Sequence, residues 1–217
     1  GLCTEDAAHD PMLPLLMAAS TTSRVTLETR VTIAFPRSPM VLAYSARDLQ
    51  DFSGGRVRLG LGTQVKGHIQ RRFSTEWDSP GPRMREYVQS LHAIWGAWQP
   101  GERLEYHGEY YNFSLMTPFF SPGRSEQPEP PVFISAVNPY NCRVAGEVCD
   151  GVALHPLTTS KYLKEVINPN IADGAARSGR DPKSVNLSNS SFVITGPNQA
   201  AINAKKEAVK KQIAFYC

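Results

Sequence analysis

The segment from Asp48 to Gln64, DLQDFSGGRVRLGLGTQ, constrains the fold more than any other part of the chain. Its pattern indicates the end of an amphipathic helix, a glycine turn, a short buried strand and an abrupt polar stop. Gly54 and Gly55 can end the helix because glycine enters the left-handed backbone region without a steric penalty. In a parallel α/β sheet, ligands bind where such strands end, so the polar residues after Gly62 are the first candidate site.

The rest of the chain repeats the same unit of strand, loop and helix. Predicted strands cover residues 2–4, 25–35, 56–62, 132–137, 151–154 and 185–195, and helices begin near residues 11, 39, 83, 139, 158 and 198. This alternation predicts an α/β fold with a parallel sheet and helical crossovers. No G-x-G-x-x-G motif opens a helix, so we favour a barrel over an open, doubly wound sheet.

We expect one domain over residues 1–217, since a chain of 217 residues can bury one substantial core. Two stretches depart from the alternation: an insertion at about 64–82, and a hairpin with a proline-rich loop excursion at about 103–131. The pattern also begins at the end of a strand and stops inside a helix. Because six strands are predicted where a barrel needs eight, we expect a barrel that is truncated at both ends.

Composition and charge argue against several classes of protein. The chain is 41% hydrophobic and 20% charged, and no apolar run has the length of a membrane span. The net charge of +3 does not argue for nucleic-acid binding, although an anionic ligand stays open. The cysteines form no C-x-x-C pair and no signal peptide opens the chain, so we expect free thiols in a reducing cytoplasm. The cysteines are Cys3, Cys142, Cys149 and Cys217.

Several segments resemble the bacterial luciferase-like monooxygenase superfamily, among them HDPMLPLLMAAS, SPMVLAYSARDLQDFSGGRVRLGLG, RMREYVQSLHAIWGAW and AGEVCDGVALHP. GTQVKGHIQRRF followed by RMREYV is more specific, and resembles the branch of oxidoreductases that use the deazaflavin coenzyme F-420. The resemblance implies a (β/α)8 TIM barrel of the luciferase-like type. The chain would begin within barrel strand 2 and end in the helix after strand 7, so that strands 1 and 8 would be missing.

His9 is the catalytic residue that the resemblance implies. By the resemblance, His9 and Asp10 end barrel strand 2, where relatives place a histidine or an acidic residue over the reactive edge of the flavin. A histidine can carry the proton that accompanies hydride transfer. The alternative is that Asp10 only caps the next helix and that His9 is a solvated loop residue.

The resemblance implies a non-proline cis peptide bond between Arg30 and Val31, in a bulge that backs the flavin ring. Phe35 lies further along the same predicted strand and is a candidate for contact with the ring. An ordinary strand is the alternative for this segment.

A second group of candidate cofactor ligands follows the glycine-rich strand. Gln64 could bind the pyrimidine edge of the flavin, and Gly62 could leave room for the ring. Nearby basic residues could hold an anionic cofactor tail, or they could form a solvated surface. The candidate ligands are Gly62, Thr63, Gln64 and His68, and the basic residues are Lys66, Arg71 and Arg72.

Two further candidate regions follow the strands at 132–137 and 151–154. The backbone N–H groups of a helix that begins after Asn138 could bind an anion, although capping by Asn138 is a sufficient explanation for that residue. We take Ala136, Val137 and Asn138 as cofactor-binding candidates. His155 is a candidate for substrate binding, and the alternative is a structural histidine before Pro156.

The leading functional hypothesis is an oxidoreductase that transfers a hydride between coenzyme F-420 and a small organic substrate. An FMN-dependent monooxygenase shares the fold and is the close alternative. Alternatives of another class are an inactive barrel remnant and a metal-dependent hydrolase, although the chain has no metal-binding motif such as H-E-x-x-H. We expect a small-molecule substrate, no nucleic acid, no membrane and no metal, and we leave a homodimer open. The hydrolase would need ligands from His9, Asp10, His68 and His155.

Overall fold

The computed structural model describes residues 1–216 and builds them around a curled parallel sheet. The strands are β1 (Leu2–Thr4), β2 (Leu27–Thr29), β3 (Thr32–Ile33), β4 (Val57–Gly62), β5 (Tyr106–His107), β6 (Asn112–Phe113), β7 (Val132–Ser135), β8 (Gly151–Leu154) and β9 (Asn186–Asn189). The helices are α1 (Met12–Thr21), α2 (Pro39–Ser53), α3 (Lys66–Arg71), α4 (Pro80–Ala97), α5 (Pro139–Val148), α6 (Ser160–Tyr162), α7 (Asn168–Arg177) and α8 (Gln199–Tyr216).

The strand order of the main sheet follows the chain. It runs β1-β2-β4-β7-β8-β9, and each neighbouring pair is parallel. β3 continues beside β4 after β2 has ended, and β5 and β6 form a separate antiparallel pair. A doubly wound sheet would reverse its strand order at a central switch point, and this sheet does not. The prediction of a barrel-type α/β fold is therefore confirmed, with six consecutive strand positions in the described residues.

The strand predicted over residues 25–35 is divided into β2 and β3. Arg30 and Val31 separate the two strands, and the peptide bond between them is cis, as the resemblance implies. Thr32 and Ile33 then pair with Leu61 and Gly62 of β4.

The glycines of β4 let β2 and β3 approach it closely. A Cβ atom on Gly60 would lie 2.0 Å from the backbone oxygen of Thr29, and one on Gly62 would lie 2.5 Å from Cγ2 of Val31. Thr29 Oγ1 donates to the Gly60 carbonyl at 2.8 Å and accepts from the Gly60 N–H at 2.9 Å. The alternation of glycine with larger residues in this strand thus reflects a backbone contact.

Several elements differ from the sequence prediction. α4 begins at Pro80 instead of residue 83, because prolines suit the first turn of a helix, where no N–H partner is needed. The predicted insertion at 64–82 contains the short helix α3. The last predicted strand, 185–195, ends at Asn189, and the serines and asparagines that follow favour local turns over strand pairing.

Pro169 does not interrupt the helix predicted over 158–178. A π-helical turn, Leu163–Ile167, joins α6 to α7, and the Asn168 N–H donates to the Leu163 carbonyl. The wider turn allows the chain to pass Pro169, which has no N–H to donate, without ending the helix.

The apolar core lies between the sheet and the helices, and α4 contributes its largest side chains. Trp95 and Trp98 are almost fully buried, as the helical period predicts. Trp95 Nε1 donates to the Ala43 carbonyl of α2 at 3.2 Å, and Trp98 stacks on Tyr44 with ring centroids 5.1 Å apart. None of the helices in the described part of the chain combines the length and apolarity needed to cross a bilayer.

Replacing Gly60 by alanine should destabilise the fold, because the new Cβ would meet a backbone atom of β2 that cannot move aside. We expect a loss of about 1–3 kcal/mol in the free energy of unfolding, the range found for overpacked sites. Denaturant unfolding measures this loss. Gly96→Ala is the matched control, since nothing lies within 4 Å of its added Cβ in α4 and alanine favours helices by up to about 1 kcal/mol. If both variants had the same stability, the close contact would not constrain the sheet.

Candidate functional site

Two cavities lie at the carboxyl ends of the strands. The interior cavity has a volume of about 480 Å³, and the rim cavity has about 720 Å³. The interior cavity is lined by residues that include Thr4, Arg30, Val31, Ser135, His155 and Ser190. The rim cavity is lined by residues that include Thr63, Gln64, Lys66, Trp77, Asn138 and Arg143. In a barrel of parallel strands this end of the sheet is where active sites form.

The two cavities are close neighbours. Val31 lines the interior cavity, and its side chain fills the space beside Gly62, which directly precedes Thr63 of the rim cavity. Ser135, the last residue of β7, lines the interior cavity, and Asn138, three residues later, lines the rim cavity. The space that a Cβ on Gly62 would need is therefore occupied by Val31.

The structure divides the predicted site residues between these cavities and their surroundings. Arg30, Val31 and His155 line the interior cavity, whereas Gln64 and Asn138, with Thr63, line the rim cavity. The candidates that line a cavity are thus divided between two neighbouring cavities.

Six predicted residues, Phe35 and Gly62 among them, lie outside both linings. Ala136 is fully buried, and Val137 is half-exposed while its carbonyl accepts from the Tyr162 hydroxyl at 2.6 Å. His9 and His68 are exposed. His68 lies in α3, and its carbonyl accepts from the backbone N–H groups after that helix.

Phe35 is buried behind the rim cavity. Its ring packs edge-on against Trp77, with centroids 6.2 Å apart, and the guanidinium of Arg83 lies 4.6 Å from its ring centroid. Phe35 therefore supports Trp77, a rim residue, from the core side.

The loop that carries His9 is anchored at several points. Asp10 accepts from the Met12 N–H at 2.8 Å, as expected of a helix cap, and also pairs with Arg37 at 3.1 Å. Asp6 pairs with the same guanidinium, and the Asp6 N–H donates to the Val31 carbonyl at 3.1 Å. Arg72 donates to the Ala7 carbonyl. Of the three basic residues proposed for an anionic tail, Arg72 thus holds this loop while Lys66 lines the rim cavity.

Arg30 is partly buried, with a side chain that is 9% exposed and extends across the concave face of the sheet. Nη1 contacts Glu28 Oε1 at 2.9 Å and Ser188 Oγ at 2.6 Å. Nη2 donates to the carbonyl oxygens of Leu154 at 2.9 Å and Ser188 at 2.8 Å. All four contacts of the two terminal nitrogens are with protein groups. The parts of this segment that can contact a ligand are therefore the Arg30–Val31 backbone and the Val31 side chain.

Sequence reasoning missed Glu28 and the residues opposite it. The signal was present for Glu28, because residues two apart in a strand share a face, which places Glu28 and Arg30 together. No local pattern connects them to Ser188, which is far away in the sequence. Tyr140 and Arg143 in the rim lining were also missed, although both follow Asn138 within the first turns of α5.

His155 is held in one protonation pattern. The Leu157 N–H donates to His155 Nδ1 at 3.3 Å, so Nδ1 acts as the acceptor and the neutral ring carries its hydrogen on Nε2. Partial burial lowers the pKa of His155 below its ordinary value of 6.5. At neutral pH this imidazole is therefore an uncharged group that can donate a hydrogen bond.

The rim cavity includes two residues with left-handed backbone. Gln64 has φ of 57° and Ser79 has φ of 37°, values that are uncommon outside glycine and cluster at functional sites. The Asn138 side chain accepts from the Asn141 N–H at 2.8 Å and so caps α5. The first turn of α5 and Lys66 give this cavity positive electrostatic character, which suits an anionic group.

Among residues 1–216, no group of three His, Cys, Asp or Glu side chains is arranged to hold a metal ion. The four candidate ligands of a hydrolase do not come together. His155 lines the interior cavity, Asp10 pairs with Arg37, and His9 and His68 are exposed on separate segments.

Residues 2–216 match the family model described as luciferase-like monooxygenase. The chain belongs to this family. An uncharacterized protein of Mycobacterium tuberculosis is 48% identical over 98% of the chain. The 5,10-methylenetetrahydromethanopterin reductase of Methanolobus tindarius is 31% identical over 92% of it, and the F420-dependent glucose-6-phosphate dehydrogenase of Nocardia farcinica is 29% identical over 82% of it. The chain spans 63%, 57% and 52% of these proteins, respectively.

Solved structures show the same fold. The monooxygenase RslO1 of Streptomyces bottropensis matches 98% of the chain with a TM-score of 0.75 at 21% identity, and the match covers 67% of that structure. The coenzyme F420-dependent tetrahydromethanopterin reductase of Methanopyrus kandleri matches 86% of the chain with a TM-score of 0.69 at 21% identity, and the match covers 56% of that structure.

The lowered pKa of His155 predicts a specific pH dependence of stability. Between the folded and the ordinary pKa, the unfolded chain binds a proton on this side chain that the folded chain does not bind. The contribution of the neutral ring is therefore complete above pH 6.5 and is lost as the pH falls below that value. We expect the free energy of unfolding of a His155→Gln variant to depend less on pH between about 7 and about 5 than that of the parent chain. An NMR titration of His155 with a midpoint at or above 6.5 would contradict the assignment.

Proposed function

We propose that this chain forms the cofactor-binding and substrate-binding face of an oxidoreductase that transfers a hydride between coenzyme F-420 and a small organic substrate. The observation that carries the proposal is the pair of adjoining cavities at the strand ends, with the Arg30–Val31 segment between β2 and β3 and His155 at the end of β8. The identity to an F420-dependent dehydrogenase supports the choice of cofactor.

The residues present fit a deazaflavin. The volumes of about 480 and 720 Å³ lie within the range of about 300–1,000 Å³ that is usual for small-molecule sites. Gln64 and Asn138 supply amide groups beside Trp77, as the edge of a planar heterocycle requires. Lys66 and the first turn of α5 supply the positive character that an anionic tail requires.

A deazaflavin, when bound, supplies the carbon that accepts or releases the hydride. The protein itself positions the cofactor and the substrate. Val31 and its backbone form a wall of the interior cavity, and Ser135 lies in the same lining. The loop of residues 5–11 is tied to β3 through Asp6, which accepts from the Ile33 N–H at 3.2 Å and pairs with Arg37.

Transfer of a hydride is accompanied by movement of a proton, so the site needs a group that can hold one. His9 is the residue that the resemblance implies, and we retain it as the proposed catalytic histidine. His155 lines the interior cavity and carries its hydrogen on Nε2, so we propose that it binds the substrate oxygen or nitrogen.

The cofactor assignment is tested by binding. The purified protein should change the absorbance and fluorescence of coenzyme F-420 and should bind it more tightly than FMN. Lys66→Ala should weaken F-420 binding, because it removes a cation from the rim cavity, whereas Lys205→Ala, at a position of α8 outside both cavity linings, is the matched control. Tight FMN binding without F-420 binding would support the monooxygenase alternative. Binding of neither would support an inactive remnant.

The roles of the histidines are tested by substitution, with a substrate found among small alcohols, aldehydes and ketones by following the deazaflavin absorbance. His9→Ala should lower turnover by about 10²–10⁴-fold, the usual contribution of a proton-transferring group, with little change in cofactor affinity. His92→Ala is the control, since His92 contacts Glu129 on the outer surface of α4. If His155→Ala lowered turnover to this extent while His9→Ala did not, the proton-transfer role would move to His155.

A further inference from the structure

The Arg30 side chain connects strands that are far apart in the sheet. Arg30 follows β2, whereas its partners Leu154 and Ser188 lie in β8 and β9, and β4 and β7 stand between them in the strand order. No backbone ladder joins β2 to β8 or β9 in the described residues, so the guanidinium is a bridge between the two arms of the curled sheet.

The positive charge of this bridge is balanced by a neighbouring carboxylate. Glu28 is 5% exposed, and its carboxylate accepts from Arg30 Nη1 at 2.9 Å and from Ser188 Oγ at 3.2 Å. The positive charge of Arg30 is therefore balanced by the Glu28 carboxylate. Each of the two terminal nitrogens of the planar guanidinium contacts two acceptors. A lysine ammonium at this position is a point charge and cannot reproduce that geometry.

One of these acceptors belongs to the peptide group that leads into His155. Arg30 Nη2 holds the Leu154 carbonyl at 2.9 Å, on the N-terminal side of His155. On its C-terminal side, the Leu157 N–H contacts Nδ1 of the ring at 3.3 Å. The backbone is thus held just before the ring, and the ring is held by the backbone just after it.

We propose that Arg30 is a positioning residue for His155: by binding the Leu154 carbonyl from across the concave face, it orders residues 154–157 so that Nδ1 accepts from Leu157 and the ring hydrogen stays on Nε2. The consequence for catalysis rests on the proposed function, in which His155 binds the substrate. The effect of Arg30 on the conformation of residues 154–157 does not rest on the proposed function, because it concerns the chain alone.

The proposal is tested without cofactor or substrate. In the full chain labelled with ¹⁵N, the ring nitrogens of His155 are identified by comparison with His155→Gln, and their shifts report which nitrogen carries hydrogen. The parent chain should show Nε2–H alone. Arg30→Lys should show a mixture of both ring tautomers, and the Leu157 amide should exchange with solvent at least about tenfold faster, a change that reports loss of an ordered hydrogen bond.

Arg56→Lys is the matched control. Arg56 also binds several backbone carbonyls, including those of Val25 at 2.8 Å and Thr22 at 2.9 Å, but it lies at the opposite end of the sheet from His155. It should leave the His155 tautomer and the Leu157 exchange rate unchanged. If Arg30→Lys and Arg56→Lys behaved alike at His155, Arg30 would have only a general structural role and the proposal would be wrong.

Ser188→Ala provides a milder variant if Arg30→Lys does not fold. It removes the hydroxyl contact to Nη1 but keeps the contact of Nη2 with Leu154. We expect exchange of the Leu157 amide to accelerate by about threefold, which is less than the acceleration expected for Arg30→Lys. Unchanged exchange at Leu157, together with faster exchange in β9, would show that the bridge does not extend to His155. Failure of F-420 binding would overturn the proposed function but would leave this result intact.

Discussion

The Arg30 guanidinium joins the two arms of the curled sheet, because it binds acceptors on β8 and β9 from a position beside β2. A buried ion pair such as Glu28–Arg30 adds little net stability, since both charges lose their hydration. Its effect is geometric, because four directional contacts with Nη1 and Nη2 admit few alternative arrangements of the strands. The interior cavity lies directly against this bridge, so its shape depends on it.

The second constraint is the close approach of β2 and β3 to β4. Gly60 and Gly62 have no Cβ atom, and the Thr29 carbonyl and the Val31 side chain occupy the space that one would need. Val31 consequently stands between the interior and rim cavities. The strand ends thus provide two adjoining sites instead of one open groove, and the division suits a ligand with a planar reactive ring and a separate charged tail.

Membership of the luciferase-like monooxygenase family defines the fold. It does not distinguish an F420-dependent enzyme from a monooxygenase, because proteins described in both ways share the architecture. In the proposed function, that choice depends on the side chains at the strand ends, such as Gln64, Lys66 and Asn138, which lie in the rim lining. It also depends on the whole protein, since the chain spans 63% of the length of its 48% identical relative.

The amino-acid sequence by itself determined the alternation of strands and helices, the parallel strand order and the buried face of α4, because these follow from local periods of apolar residues and from glycine and proline positions. It also indicated the cis bond between Arg30 and Val31 through family resemblance. Only the tertiary structure decided that His9 and His68 are exposed, that Val31 fills the space beside Gly62, and that Arg30 contacts Ser188. These outcomes depend on which residues the curl of the sheet brings together, and residues that are 158 positions apart leave no local pattern to read.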